Sequence, residues 1–238
     1  MSDLSTLRFF TTPSHPCSYL PGQEATTLFL DPAVMPDQSL HTQLSWHGFR
    51  RSGDYLYRPH CANCHACLPA RVRVADFQPN RRFRRILQHN SDLRISRATP
   101  SAAESYWELY QRYINLRHQD GDMYPPSRQQ YEQFLLSQWG NSHFLCFHQG
   151  EHLLAVAVTD QLDDGLSAVY CFFEPDAAAR SLGVYAILSQ LQACQAQQLP
   201  YLYLGYLIRH CRKMAYKEDF GPLEVLTDTG WQRLPTRR

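Results

Sequence analysis

Three cysteines at regular spacing form the most reactive cluster in the sequence. They lie in the run Cys61-Ala-Asn-Cys64-His-Ala-Cys67, where two residues separate each thiol from the next. A turning segment with this spacing brings three thiolates within reach of one ion, and a fourth ligand must come from elsewhere. An iron–sulfur run of the bacterial type would need a cysteine at position 71, which is Arg71. The cluster therefore predicts either zinc or iron–sulfur ligation or a set of reduced, packed thiols.

Positive charge is concentrated in two stretches of a chain whose formal net charge is only +1. Between residues 71 and 97 there are eight arginines and two aspartates, and a second basic group follows at residues 209–217. A short helix is predicted over residues 80–88, and its arginines are Arg81, Arg82, Arg84 and Arg85. Local basic patches on a nearly neutral protein favour a defined polyanion site, although a solvated helix face would have the same pattern.

A strand, a glycine-containing turn and a helix follow one another after residue 168. Residues 168–173 are aromatic and β-branched, which is typical of a buried strand. The run Arg180-Ser-Leu-Gly183 opens the helix, and residues 201–206 form a second strand. The free N–H groups and the helix dipole at such a turn favour an anionic or carbonyl-bearing substrate. An ordinary β-α-β packing unit without a ligand would have the same pattern.

The order of elements from Leu93 onward predicts the fold of the C-terminal part. It is β-α-α-β-β-β-α-β-α-β, the order of the acetyltransferase fold called GNAT, whose splayed central strands hold an acyl group against an amine. We therefore predict an α+β protein with a smaller Cys-containing N-terminal domain at residues 1–91 and a GNAT-like acyltransferase domain at residues 92–238. In the expected CoA phosphate loop, Tyr185 occupies a position that requires a small residue, which implies a different acyl carrier.

The composition is that of a globular protein. The 238 residues are 44% hydrophobic and 19% charged, and a chain of this length can bury a sizeable core. No apolar run approaches the roughly 20 residues of a membrane span, and the first residues lack the pattern of a signal peptide. We therefore expect a monomeric cytoplasmic protein that does not bind membranes, with cysteines that stay reduced or bind metal.

Three separated motifs resemble the arginyl-tRNA–protein transferase family, most closely its bacterial branch. They begin at Cys17, Tyr57 and Tyr201 and read CSYLPG, YRPHCANCHACLPARV and YLYLGYLIRHCRKMAYK. The resemblance extends from Leu7 to Leu234. It implies an aminoacyltransferase that moves leucine or arginine from aminoacyl-tRNA to the α-amino group of proteins beginning with Asp or Glu. Such a transfer marks the acceptor for degradation by the N-end rule pathway and needs no cofactor.

The same resemblance suggests a complete ligand set for the cysteine cluster. It implies Cys17 as the partner of Cys61, Cys64 and Cys67, with His60 and His65 as the alternative fourth ligands. Eukaryotic members carry a Cys-x-x-Cys pair and an adjacent Cys-Cys pair that are linked to metal or iron–sulfur binding. This sequence has Leu20 where the first pair would end, and it has no Cys-Cys pair. Zinc, an iron–sulfur cluster and reduced thiols therefore all stay open.

The implied reaction is the attack of an α-amine on an ester, which defines the residue types that its site requires. The amine must lose a proton, the carbonyl oxygen needs hydrogen-bond donors, and an acidic N-terminal side chain calls for a cation. Glu174 is the predicted proton acceptor, and Tyr170 and Tyr216 are the predicted donors. The predicted substrate-binding residues are Arg71, Arg209, Lys213 and Tyr206. The predicted tRNA-binding residues are Arg81, Arg82, Arg84, Arg85 and Arg180.

Two other function classes compete with this interpretation. One is a CoA-dependent N-acetyltransferase with a metal-binding N-terminal domain, and Tyr185 counts against it. The other is a redox- or metal-sensing RNA-binding module without catalysis. This module would lose RNA binding on replacement of Cys61 but would not respond to replacement of Glu174.

Overall fold

The computed structural model describes residues 4–137, 139 and 141–235. The α-helices in these ranges are α1 (Gln38–Trp46), α2 (Arg81–His89), α3 (Trp107–Arg117), α4 (Arg128–Leu135), α5 (Leu182–Ala196) and α6 (Arg212–Ala215). The strands are β1 (Phe9–Thr11), β2 (His15–Pro16), β3 (Glu24–Ala25), β4 (Thr27–Leu30), β5 (Arg50–Ser52), β6 (Tyr55–Pro59), β7 (Leu68–Arg73), β8 (Arg94–Ala98), β9 (Ser142–Gln149), β10 (His152–Gln161), β11 (Gly165–Phe173), β12 (Tyr201–Leu207), β13 (Leu223–Thr227) and β14 (Gly230–Arg233). The short 3-10 helices are Leu4–Thr6, Val74–Asp76, Pro100–Tyr106, Pro175–Arg180 and Tyr216–Phe220. The predicted mixture of helices and strands is confirmed, and no described helix has the length and apolar run needed to cross a membrane.

Eight strands form one large sheet in the order β14-β13-β7-β12-β11-β10-β9-β8. Strands β11 and β12 are parallel, whereas the other neighbours pair antiparallel. Strand β7 comes from the N-terminal half of the chain and lies between β12 and β13, paired with both. Residues 68–73 therefore share a sheet with the C-terminal strands, across the predicted division at residue 91. That division stays a prediction.

Helices cover both faces of the large sheet. Successive residues of a strand point to opposite faces, so β10 contributes to two separate cores. Ala155 and Ala157 face the core that contains α2 and α5. Val156 and Val158 face the core that contains α3 and α4. The central strands are therefore buried on both sides.

Side-chain caps explain where three of the helices begin. Asp37, Asn80 and Ser127 each accept a hydrogen bond from the backbone N–H three residues later, at 2.7, 2.9 and 3.2 Å. Each cap satisfies an N–H group that has no partner inside its helix. The cap at Asn80 orients the arginine-bearing helix α2.

A smaller sheet, in the order β1-β4-β6-β5, packs with α1 against strands β12 and β14. It has a small core of its own, in which Leu44 is almost fully buried. The hydroxyl of Tyr206 on β12 donates to the carbonyl of Gly48 at 2.9 Å. The indole of Trp231 on β14 donates to the carbonyl of Trp46 at 3.0 Å. These bonds fix the segment between α1 and β5 against the large sheet.

One ion pair between the two sheets is fully buried. Arg51 on β5 donates to both carboxylate oxygens of Asp160 on β10, at 2.7 and 2.9 Å, and neither side chain has exposed surface. Ser142 also donates to Asp160, and Arg51 donates further to the carbonyls of Gly53 and Leu135. Burial alone would raise the pKa of Asp160, but the charge and hydrogen bonds of Arg51 hold that pKa below its usual range.

Replacement of Arg51 leaves Asp160 as an uncompensated buried charge. We expect Arg51→Met to lower the free energy of unfolding by about 3–5 kcal/mol, measured by urea denaturation at pH 7. The double variant Arg51→Met/Asp160→Leu removes both charges and should lose much less stability than the single variant. Equal losses in the two variants would show that the ion pair does not carry the effect.

Candidate functional site

The two parallel strands β11 and β12 separate after a short paired stretch. In the described residues they pair only at Gly165–Tyr201, Leu166–Leu202 and Ser167–Tyr203, although β11 continues to residue 173 and β12 to residue 207. Beyond these pairs, β11 presents backbone carbonyls that β12 does not satisfy. We call the space between the diverging strands the strand opening.

The side chain of Arg50 reaches into the strand opening from the smaller sheet. Its Nη2 atom donates to the carbonyls of Ala168 and Val169 on β11, at 2.9 and 3.0 Å. On β12 the guanidinium lies against Gly205, whose φ is +76° and where an added Cβ would come within 2.1 Å of Nη1. The same guanidinium lies 5.9 Å from the ring centre of Tyr206. A bulge in the pairing of β12 with β7 between Tyr203 and Gly205 provides this space.

A second cation, Lys217, is buried beside the strand opening. Its Nζ atom donates to the carbonyl of Tyr206 on β12, and its side chain is almost fully buried. Burial and the positive charge of Arg50 lower the pKa of Lys217 to about 7. Among the described residues, no carboxylate forms an ion pair with Arg50 or Lys217. The opening is therefore flanked by Arg50, which donates to carbonyls, and by Lys217, which donates to a carbonyl and to the sulfur of Met214.

The two predicted tyrosine donors lie at the same end of the sheet but in different environments. Tyr170 on β11 packs against Phe134, with ring centres 5.1 Å apart, and burial raises the pKa of Tyr170 above its ordinary value. Its hydroxyl therefore stays protonated at neutral pH. Tyr216 is 41% exposed as a residue, but burial, followed by the nearby Cys171, raises the pKa of its hydroxyl above the ordinary value. Tyr216 is thus the predicted donor whose side chain is partly exposed.

The predicted proton acceptor Glu174 already has partners. Its carboxylate accepts a hydrogen bond from Arg112 on α3 at 2.7 Å, and it also accepts from the backbone N–H of Asp176. Asp176 shares the same arginine, at 3.1 Å. Glu174 is therefore held in place at the end of β11, and a proton could reach it only in competition with Arg112.

The cations predicted to bind an acidic substrate are all paired with carboxylates of the chain. Arg71 is bonded to Glu224 at 2.8 Å and to the hydroxyl of Tyr203. Its guanidinium lies between two rings, 3.6 Å from the centre of Tyr201 and 4.2 Å from that of Trp231. The register across β7, β12, β11 and β10 nevertheless places Arg71 on the same face of the sheet as Tyr170.

The other residues predicted to bind substrate also have partners within the chain. Arg209 pairs with Glu218 at 2.6 Å, and Lys213 pairs with Asp120 at 2.8 Å. Tyr206 is fully buried, and its hydroxyl already donates to backbone carbonyls of the smaller sheet. The ring of Tyr206 also lines a cleft beside the cysteine run.

The predicted tRNA-binding arginines on α2 divide into two groups. Arg81, Arg84 and Arg85 are exposed, and in the described residues none of them forms an ion pair. Arg82 pairs with Asp219 at 2.6 Å. The spacing of the first three residues puts them on one side of the helix. That side is a free cationic row, which is what a phosphate backbone requires.

The turn before α5 is locked by Arg180. Both of its terminal nitrogens bind Asp92 at 2.9 Å, and one of them also lies near the side chain of Asn90. Tyr185 is buried and packs against Phe147, with ring centres 5.5 Å apart. The tyrosine thus points into the core and does not itself obstruct the turn. Because Arg180 is paired with Asp92, its guanidinium is not free to bind a phosphate at this turn.

The four predicted metal ligands lie near one another without forming a metal site. Burial, followed by the nearby Cys17, Cys61 and Cys64, raises the pKa of Cys67 to about 12. Within the described ranges, however, no group of three or more Cys, His, Asp or Glu side chains is arranged to hold a metal ion. No chemical step is therefore assigned to zinc or to an iron–sulfur cluster, and metal binding by these cysteines stays a prediction.

A cleft of about 840 Å³ lies beside these cysteines. It is bounded by the segment around the cysteine run, by strand β6 and by the turn between β13 and β14. Its lining includes the four cysteines, Arg58, His60, His65, Tyr206 and Asp228. Tyr206 also faces Arg50, so the cleft and the strand opening adjoin the same side chain.

The sequence motifs do not predict a role for Arg50, Arg58 or Lys217. Lys217 belongs to the basic stretch at residues 209–217, and nothing in that pattern indicates its burial. Arg50 lies in an Arg-Arg pair directly before the turn at Gly53, and that pair was the available signal. Arg58 lies inside the motif that begins at Tyr57, but nothing in its local sequence separates it from the other arginines.

Gly205 provides a direct test of the position of Arg50. In Gly205→Ala the new methyl group must displace the guanidinium of Arg50. The alanine must also adopt a left-handed backbone conformation, which costs about 1–2 kcal/mol by itself. Gly150→Ala is a matched control, because its φ is +58° and its added Cβ meets no atom within 4 Å. We expect thermal and urea denaturation to show a larger loss of stability for Gly205→Ala. Equal losses would contradict the packing of Arg50 against Gly205.

Comparison with protein families identifies two matching segments. Residues 15–85 match the model described as "Arginine-tRNA-protein transferase, N terminus", and residues 105–227 match the model of its C terminus. Among solved structures, the C-terminal domain of a putative lysylphosphatidylglycerol synthetase from Agrobacterium fabrum aligns with a TM-score of 0.43 at 13% identity, covering 60% of this chain and 47% of that one.

Similar proteins share most of their sequence with this chain. A protein of Alcanivorax borkumensis named aspartate/glutamate leucyltransferase is 58% identical over 98% of this chain and 96% of its own length. Proteins of the same name from Teredinibacter turnerae and Pseudomonas savastanoi are each 53% identical, over 97% and 98% of this chain and 96% and 100% of their own lengths. The chain therefore belongs to the arginine-tRNA-protein transferase family.

Proposed function

We propose that the protein transfers leucine from leucyl-tRNA to the α-amino group of proteins that begin with Asp or Glu, and so marks them for N-end rule degradation. The family description names arginine, whereas the relatives with more than half of their residues identical are named leucyltransferases. Identity at this level over nearly the full chain favours leucine as the donated residue. The observation that carries the proposal is this full-length similarity, combined with the strand opening and its two cations.

We infer that residues 92–238 adopt a GNAT-like arrangement. The strands β8 to β11 pair in sequence, and the parallel neighbour β12 diverges from β11. A diverging parallel pair is what the GNAT order of elements predicts at this point of the chain. The cysteine-containing N-terminal part then contributes β7 to the same sheet, and Arg50 on β5 reaches it from the smaller sheet.

The reaction is an aminolysis of the ester that links leucine to the tRNA ribose. The acceptor α-amine attacks the carbonyl carbon and loses a proton, the carbonyl oxygen becomes an oxyanion, and the ribose oxygen leaves with a proton. An α-amine of pKa about 8 needs little activation, and no covalent enzyme intermediate is required. The enzyme's contribution is orientation and the stabilisation of negative charge.

The strand opening supplies groups for that stabilisation. Arg50 creates a positive potential beside it, to which Lys217 adds when its amine is protonated, and the partly exposed Tyr216 has a hydroxyl that can donate to the oxyanion or to the leaving oxygen. Tyr170 lies deeper and supports the arrangement from β11. Glu174, held by Arg112, is our candidate for the group that accepts the amine proton.

Helix α2 offers a path for the tRNA backbone to this opening. Phe83 of α2 stacks on Phe220, with ring centres 4.8 Å apart, and Phe220 closes the short helix that begins at Tyr216. The exposed arginine row on α2 therefore lies next to the segment that carries the reactive tyrosine. Phosphate contacts there would direct the tRNA end towards the opening.

Transfer can be tested with charged tRNA and short peptides. The protein is mixed with leucyl- or arginyl-tRNA and with peptides beginning with Asp, Glu, Arg or Ala. We expect labelled leucine on the Asp and Glu peptides only, and a loss of kcat by about 100-fold in Tyr216→Phe, since one oxyanion donor is removed. Acetyl transfer from acetyl-CoA without tRNA, or no label on the acidic peptides, would refute the assignment.

The arginine row can be tested separately by tRNA binding. We expect the triple variant R81Q/R84Q/R85Q to bind tRNA more weakly and to lower the slope of log affinity against log salt by about 0.7–0.9 for each lost phosphate contact. Arg128→Gln is the control, because Arg128 is an exposed arginine on another helix that pairs with Glu104. An unchanged salt slope in the triple variant would exclude α2 from the tRNA interface.

A further inference from the structure

The cleft beside the cysteine run contains an arginine that has no role in the proposed reaction. Arg58 on β6 lines this 840 Å³ space together with His60, His65 and Tyr206. Volumes of this order are typical of sites that enclose a small ligand or the end of a peptide. The cleft is thus large enough for an N-terminal residue and its neighbour.

Arg71, Arg209 and Lys213 are paired with carboxylates, whereas Arg58 contacts a backbone carbonyl and an aromatic ring. Its Nη1 atom donates to the carbonyl of His47 at 3.1 Å, and its guanidinium lies 5.3 Å from the ring centre of Phe49. Its Nε atom is buried and has no hydrogen-bond partner. In the part of the chain that the structure describes, no carboxylate forms an ion pair with Arg58.

An unpaired guanidinium in a cleft is suited to a carboxylate. Arginine presents its N–H groups in a planar fork that matches two carboxylate oxygens, and such charge-assisted bonds are stronger than neutral ones. Here the fork is held by Phe49 and by the carbonyl of His47, which reduces the entropy lost on binding.

We propose that this cleft binds the N-terminal residue of the acceptor protein and that Arg58 pairs with the side-chain carboxylate of its Asp or Glu. The inference rests on the proposed function and identifies its acceptor site. Tyr206 connects the two places, since its ring lines the cleft and also faces Arg50 in the strand opening. An acceptor held by Arg58 therefore lies in a cleft that adjoins the strand opening.

The carboxylates that line the cleft are complementary to the α-ammonium group of the acceptor's N-terminal residue. Glu24 and Asp228 line the cleft, and the Ser14 hydroxyl donates to Glu24 at 2.6 Å. An N-terminal Asp or Glu carries an α-ammonium group as well as a carboxylate. A cleft with an arginine and two carboxylates offers a partner for each, whereas a neutral N-terminal residue would leave Arg58 unpaired.

The test compares acidic acceptors with their isosteric amides. Peptides beginning with Asp, Asn, Glu and Gln are assayed with leucyl-tRNA, using the wild type, Arg58→Met and Arg58→Lys. We expect Arg58→Met to lower kcat/KM for the Asp and Glu peptides by about 10- to 100-fold, because a charge-assisted bond is lost, and to change the Asn and Gln values little. Arg58→Lys should restore part of the loss. Arg8→Met is the control, because Arg8 is an exposed arginine of the same part of the chain.

A binding measurement separates this inference from the proposed function. Titration of a fluorescent Asp peptide into the protein without tRNA should give a Kd that rises about 10-fold or more in Arg58→Met, while tRNA affinity stays at the wild-type value. An Asp-to-Asn selectivity that is the same in wild type and Arg58→Met would overturn the role of Arg58. A wild type that binds the Asp peptide but transfers nothing would instead refute the proposed function.

Discussion

Two neighbouring arginines on β5 determine how the smaller sheet meets the large one. Arg51 is bonded to Asp160 on β10, and Arg50 is bonded to the carbonyls of Ala168 and Val169 on β11. Side chains that follow one another on a strand point in opposite directions, so one short strand reaches two different strands of the large sheet. A buried charge is tolerated only with its partners in place, and the docking geometry is therefore strongly specified.

The same anchoring gives the strand opening its electrostatic character. Arg51 is neutralised by Asp160, whereas Arg50 donates to carbonyl dipoles and keeps its positive charge available to the surroundings. A positive potential in a partly dry space favours any group that becomes negative there, such as an ester oxygen under attack. Gly205 is part of this arrangement, because any larger residue would compete with the guanidinium for space.

Local patterns in the sequence predicted the elements well and their assembly less well. The helix predicted over residues 80–88, the helix opened by the run at 180–183 and the strand that ends at Phe173 all have signals within a few residues, and the structure contains each of them. The insertion of β7 between β12 and β13 depends on pairing with strands more than 120 residues away. No turn or periodicity near residue 70 indicates such partners, because strand pairing over long distances depends on the whole sheet.

The same limit explains why the residue types of the site were easier to predict than the roles of individual residues. Arg58 and Arg71 flank the cysteine run within one motif, and both look equally suited to bind an acidic group. Arg71 meets Glu224 only because β13 pairs with β7, whereas no carboxylate lies on the strands beside Arg58 in a position to pair with it. An arginine is available to a substrate when the fold has not already supplied its counter-ion, and that property depends on tertiary neighbours. For this chain, strand register therefore distinguishes Arg58 from Arg71, which their local sequence does not.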